Sequence, residues 1–355
     1  MTYSEMLLLY ENNEFRKIDE YINNKKFYLL RSISKSATLR KFCDKYNAGK
    51  NTDELLDNDN ITISLITDFI RAEFQPVQNI DEIEAELNKM QNFDWGGSHA
   101  NALEKNIVDI IKKTLKFNNI EEAVAGRIRE SVYGYTLNSW YNHWSSIMLE
   151  EIFNANSKVL PTLDRIKNID FFIDGVPFDL KVTYFPEELM KKKISERLKS
   201  EYGSVSELTC LKKIARSLNI SVPKDLKDRA LTICLQNLLR ESSEAEARDF
   251  LEYLSKTKNE VIDYYKENSN ELITWLYENQ GERRFDAANR FYVVLVDSNN
   301  IFDSWKLKRN KNLLAEKINI KLSEFSSENL NEVSFKWGQT GKKYKCVSEV
   351  LFIIK

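Results

Sequence analysis

Through residues 1–92, Leu, Ile and Phe recur at spacings of three and four with polar residues between them, a period that predicts helices. Within this region DELLDNDN at 53–60 reads as an acidic connection, and NIDEIEAELNKMQ at 79–91 as a short amphipathic helix. Gly96-Gly97 breaks the pattern. A long helical stretch follows from about Asn101 to Asn154, with interruptions expected near Gly126 and Gly134. At residue 157 the period changes. SKVLPTL, IDFFID and VPFDLKVT are short runs rich in β-branched and aromatic residues, and they predict three strands closed off by Pro186. Residues 187–288 return to helical spacing: Leu208, Leu211, Ile214, Ala215 and Leu218 form one face. Ser242 and Ser243 are candidate N-caps for EAEARDFLEYL, and Gly281 is a candidate stop after ITWLYENQ. RFYVVLVD at 290–297 is a continuous apolar run, as in a buried strand. EVSFKW at 332–337 and CVSEVLFII at 346–354 predict two more strands.

This order predicts an α/β fold with a central mixed sheet flanked by helices. Four regions follow: a helical N-terminal region at 1–92, a helix plus three-strand block at 93–186, a helical insertion at 187–288, and the remaining strands at 289–355. A chain of 355 residues is long enough for roughly two to three domains. Ten Gly and five Pro exclude a collagenous or linker-dominated chain.

Charge changes the picture only when taken by segment. The whole chain has 52 Lys and Arg against 54 Asp and Glu, a net of −2, which excludes a uniformly basic coat. Residues 1–50 carry ten basic and six acidic groups (net +4), residues 51–100 two and eleven (net −9), and residues 301–355 eleven and six (net +5). A local basic groove is therefore open. The two His, His99 and His143, and the four scattered Cys, Cys43, Cys210, Cys234 and Cys346, form no CxxC, HxH or HExxH spacing. That argues against a Cys/His zinc site and against His-based metal nucleases, and leaves carboxylate and Lys chemistry. Scattered Cys, no signal peptide and no run of eighteen apolar residues predict a cytoplasmic protein without a membrane span.

The most informative segment is 169–183, IDFFIDGVPFDLKVT. Asp174-Gly175 is a strong two-residue hairpin signal, because such turns need positive φ. With those residues as the loop, Ile173 pairs with Val176, Phe172 with Pro177, Phe171 with Phe178 and Asp170 with Asp179. One face then carries Phe171, Ile173, Val176, Phe178, Leu180 and Val182. The other carries Asp170, Phe172, Pro177, Asp179, Lys181 and Thr183. Two carboxylates face each other at a Cβ separation of about 4.5–5.5 Å, with an ammonium two residues along. Facing like charges repel, and a divalent cation such as Mg²⁺ removes the repulsion. Lys181 beside it would stabilise a developing hydroxide or the charge on a transferring phosphate. That is the equipment for metal-assisted phosphodiester hydrolysis.

These residues resemble the PD-(D/E)xK nuclease superfamily, in which the first acid begins one strand and (D/E)xK lies on the next. The matching positions are Asp170 and Asp179-Leu180-Lys181. Ile169 stands where the motif has Pro, and the second acid is Asp. The resemblance spans roughly 137–183 with a compatible strand at 290–297. It implies a restriction-endonuclease-like core divided between 93–186 and 289–355. It also implies a helix bearing a functional Glu before the first strand, which fits NSWYNHWSSIMLEEIF at 138–153. There Leu137, Tyr141, Trp144, Met148 and Ile152 define the expected apolar face, with Trp140 and Trp144 in the core. Glu151 lies on its edge and is the preferred accessory acid and metal ligand, with Glu150 and Glu130 in reserve.

The implied activity is Mg²⁺-dependent hydrolysis of double-stranded DNA, with Mn²⁺ able to substitute. The size and helical elaborations look like a type II restriction endonuclease, which would bring homodimerisation and a companion DNA methyltransferase. The alternatives are a structure-directed repair or phage-defence nuclease of the same fold, and a non-catalytic helical interaction protein. Lys191 to Lys193, the cations Lys306, Lys308, Arg309 and Lys311, the group Lys342, Lys343 and Lys345, and Arg283, Arg284 and Arg290 read either as phosphate contacts or as ordinary solvated and ion-paired side chains. Residues 207–240 loosely resemble a helix-turn-helix.

Overall fold

The computed structural model describes residues 1–22, 24–77, 79–93, 100–203, 206–224, 226, 228–279, 288–337 and 341–355. The expectations placed on Gly96-Gly97, His99, Gly281, Arg283 and Arg284 fall outside them. The fold is α/β, a six-stranded mixed sheet with many helices. The strands are β1 (Val159–Ile166), β2 (Ile169–Ile173), β3 (Val176–Tyr184), β4 (Arg290–Val296), β5 (Asn331–Trp337) and β6 (Lys342–Ile354), in the sheet order β1-β2-β3-β4-β6-β5. β2 and β3 are antiparallel, β3, β4 and β6 run parallel, and β5 is antiparallel to β6 at the edge.

The chain divides into two compact units. One comprises Met1–Phe74, Leu160–Leu307 and Glu324–Lys355, and the other Gln75–Val159 and Lys308–Ser323. In the first unit the central strand β4 is buried along its whole length, as its unbroken apolar sequence requires. On one face Phe171 and Phe178 meet Phe291 with ring centroids 6.5 and 6.0 Å apart, and Phe178 also meets Phe325 at 6.0 Å. The other face is covered as well. Leu160, Ile166, Ile169 and Phe172 pack with Phe27, Phe42 and Phe69 of the N-terminal helices. Tyr292, Val294 and Val296 pack with the helical block between β3 and β4.

That block holds helices Glu187–Tyr202, Glu207–Ser217, Asp228–Glu241, Ala245–Glu267 and Ser269–Asn279. Leu211, Ile214 and Ala215 are buried, in keeping with their predicted face, and Glu207–Ser217 packs on Asp228–Glu241 as an αα-hairpin. The cap of Ala245–Glu267 differs from expectation. Glu244 is the cap residue, and Ser242 Oγ instead accepts the Glu244 N–H at 3.3 Å.

In the second unit, helices Ala100–Lys113 and Phe117–Ala123 lead into a π-helical turn at Val124–Ile128, where the break near Gly126 was expected. Helix Arg129–Asn154 then runs straight through Gly134. One Gly costs a helix about 1 kcal/mol relative to Ala, which a 26-residue helix absorbs. Its buried stripe is Tyr141, Ser145, Met148, Leu149, Ile152 and Phe153, so Trp144, 36% exposed, is not the core residue the periodicity predicted. Lys308, Arg309 and Lys311 serve this unit internally. Lys308 donates to Asn142 Oδ1 at 3.2 Å, Arg309 Nη1 to the carbonyls of Leu87 and Met90, and Lys311 pairs with Asp81. Among the described residues, no helix is long and apolar enough to cross a membrane.

Candidate active site

The hairpin that carries the acids is built by its turn. Asp174 and Gly175 both adopt positive φ, 51° and 79°, the type I′ arrangement whose twist matches the flanking strands. The register is Ile173 with Val176, Phe172 with Pro177 and Phe171 with Phe178, as the sequence predicts. The paired register ends at Phe171 and Phe178, one residue short of the expected pairing of Asp170 with Asp179, and there a side chain takes over. The Leu180 N–H donates to Asp170 Oδ2 at 2.7 Å. That bond clamps the Asp170 carboxylate against the β3 backbone next to Asp179.

Asp179 is buried and has two cationic neighbours. Lys181 Nζ lies 2.6 Å from its Oδ1, and Arg290 Nε lies 3.4 Å from its Oδ2. Arg290 stands beside Asp179 in the parallel β3–β4 register, and the Asp179 N–H donates to the carbonyl of Asn289 at 2.9 Å. The Arg290 guanidinium is enclosed: it stacks 4.8 Å from the Tyr277 ring centroid and donates from Nη1 to the Tyr292 hydroxyl at 3.2 Å. Tyr277 in turn donates to the carbonyl of Ala288 at 2.8 Å. The outer end of the site is open, since the Lys181 side chain is 44% exposed.

Burial and then the charge of Asp179 push the Asp170 carboxyl up to about 6, against the opposing pull of the Leu180 N–H and Lys181. Neighbouring carboxylates are the donors a hard cation takes, and Mg²⁺ needs few protein oxygens because it keeps several waters. Asp170 and Asp179 offer oxygen donors of that type, with Asp179 Oδ1 and Oδ2 facing Lys181 and Arg290 and Asp170 Oδ2 facing the Leu180 N–H. Among the described residues no group of three or more His, Cys, Asp or Glu side chains is gathered for a metal.

Glu151 belongs to the second unit. It is half-buried on Arg129–Asn154, where burial raises its carboxyl while the Val77 backbone lowers it. Glu150 is half-buried on the same helix and Glu130 is exposed. The residues missed by sequence reasoning are Tyr277 and Tyr292, and Arg290 enters as the partner of an acid. Their signal was available: an Arg opening an otherwise apolar buried strand needs a counter-charge. Members of the other cationic runs are paired at the surface. Lys191 pairs with Glu187 at 2.7 Å, Lys193 with Glu196 at 3.8 Å, and Lys345 with Glu332.

Comparison of the chain with protein-family models, with curated proteins and with solved structures finds no match.

Proposed function

We propose that the chain is a metal-dependent nuclease with a restriction-endonuclease-like core, in which Asp170, Asp179 and Lys181 carry phosphodiester hydrolysis. One observation carries the reading: two acids from adjacent antiparallel strands are held together at a partly buried site, with a Lys bound to the second of them. Support also comes from chain order. A helix, Arg129–Asn154, precedes β1, the first acid lies near the start of β2 and the D-x-K triplet lies on β3.

Asp170 and Asp179 would hold Mg²⁺, with Mn²⁺ as a substitute. Bound there, the ion would supply Lewis-acid polarisation of the phosphate and activation of the attacking water. Asp179 is kept in place by Arg290 from behind, and Asp170 by the Leu180 N–H. Lys181 sets a positive charge at the open side, where negative charge grows on the phosphoryl oxygens. Duplex DNA is the proposed substrate. Sequence-specific restriction by a homodimer with a companion methyltransferase is the finer expectation.

The test uses purified wild type, D179A and K181A. Wild type is expected to nick duplex DNA with Mg²⁺, while each variant keeps its circular dichroism and loses at least about a hundredfold in rate. Equal activity in wild type and both variants would remove these residues from the chemistry. Discrete bands from unmodified plasmid indicate restriction, whereas cleavage confined to junction or flap substrates indicates a structure-directed enzyme.

A further inference from the structure

Beside the hairpin turn lies a cavity of about 350 Å³. Its wall combines Arg16 and Lys25 of the N-terminal region, Pro177 of β3, Asn289 just before β4, and Lys345 of β6. Pro177 is two residues from Asp179 on the same face of β3, a separation of about 7 Å along the strand. Asn289 accepts the Asp179 N–H. Two residues of its lining, Pro177 and Asn289, are thus near neighbours of Asp179 along and across the strand.

Its cations come from the two basic segments of the chain, 1–50 and 301–355, which the fold brings to one place. Lys25 reaches over the turn: a Cβ added at Gly175 would lie 3.3 Å from its Cδ and 3.7 Å from its Nζ. The ions in this wall are weakly committed. Arg16 pairs with Glu20 and Lys345 with Glu332, and all four side chains are more than half exposed. Exposed pairs of this kind are worth about 0–1 kcal/mol, so a phosphate can displace the carboxylate. Asp19, the other acid of the wall, accepts from the Tyr28 hydroxyl at 3.3 Å.

We propose that this cavity seats the phosphate backbone of a nucleic-acid substrate flanking the scissile phosphate, with Arg16, Lys25 and Lys345 as its phosphate contacts. The proposal rests on the nuclease reading and names where its substrate lies. All three cations are exposed, so their truncation leaves the core intact.

The experiment measures binding of a fluorescent 20-base-pair duplex in EDTA, where no cleavage occurs, across a salt series. The triple variant R16A/K25A/K345A is expected to bind at least about tenfold more weakly at 0.1 M salt. Its slope of log affinity against log salt should be less negative by about 2–3. A control variant, K199A/K256A/K266A, also on exposed positions, should bind as wild type does. Equal affinity and slope in the triple variant and wild type would overturn the proposal, as would equal losses in both variants or no binding by wild type. Duplex bound tightly through these cations, yet never cut with Mg²⁺ or Mn²⁺, would sink the nuclease reading and leave the binding surface standing.

Discussion

Asp170 is the residue whose environment carries the clearest cost. An ordinary Asp titrates near 3.8, and here burial and Asp179 raise it to about 6. The folded state thus holds this proton more tightly than the unfolded chain does. The stability it contributes is full below about pH 4 and is lost as pH rises through about 6, roughly 3 kcal/mol in all. D170N removes the titration and keeps an acceptor for the Leu180 N–H. Thermal melts from pH 4 to pH 8 should therefore show the variant gaining on wild type as pH rises, with the gap flat above about pH 7. A gap that does not change with pH would contradict the assignment. Arg290 poses the complementary case. Its side chain and that of Asp179 are 5% and 8% exposed, so R290M strands a buried carboxylate with Lys181 as its remaining cation. Urea unfolding should show a loss of roughly 3 kcal/mol, and much less loss when R290M is made in a D179N background. At this scale the sequence was informative about Asp170, Asp179 and Lys181, because turn chemistry and a period of two fix which side chains meet. It was silent on Tyr277, which reaches Arg290 from the helix just before β4, across a segment whose path no local pattern records.

The hairpin is the element that converts a string of residues into a site. Its register depends on the type I′ turn, and a register slip of one residue would send Asp170 and Asp179 to different faces. G175V puts a β-branched residue at φ 79° and crowds Lys25. Equilibrium unfolding should show a loss of about 1–3 kcal/mol, with D174G close to neutral by comparison. The strands were legible because alternation and the unbroken apolar run at 290–297 are strong local signals. Helix details were less so. The stripe of Arg129–Asn154 is rotated away from Trp144, since the neighbours of a helix, not its own periodicity, decide which edge is covered. Gly134 did not break that helix for the same reason: packing elsewhere along it outweighs one residue's propensity.

At the scale of the whole molecule, a net charge of −2 conceals a segregated distribution. The N-terminal and C-terminal basic segments contribute to one cavity in the first unit, whereas several tail cations, Lys308, Arg309 and Lys311, are spent inside the second. Composition could show that basic segments exist but not where they converge, because segments 1–74 and 324–355 meet only in the folded unit. A divalent ion held by the acid pair should also stabilise the fold by mass action. At a Mg²⁺ concentration ten times its dissociation constant the gain is about 1.4 kcal/mol, visible as a rise in melting temperature for wild type and absent in a D170N/D179N double variant.

The central claim, that Asp170, Asp179 and Lys181 form a metal-dependent hydrolytic centre, is tested most directly by single-turnover cleavage of a labelled duplex over a Mg²⁺ titration, with wild type beside D179N. The account predicts cleavage by wild type that saturates with Mg²⁺, vanishes in EDTA and falls at least about a hundredfold in a folded D179N. Cleavage that persists undiminished in D179N, or a wild type inert with both Mg²⁺ and Mn²⁺ on every duplex tried, would contradict it.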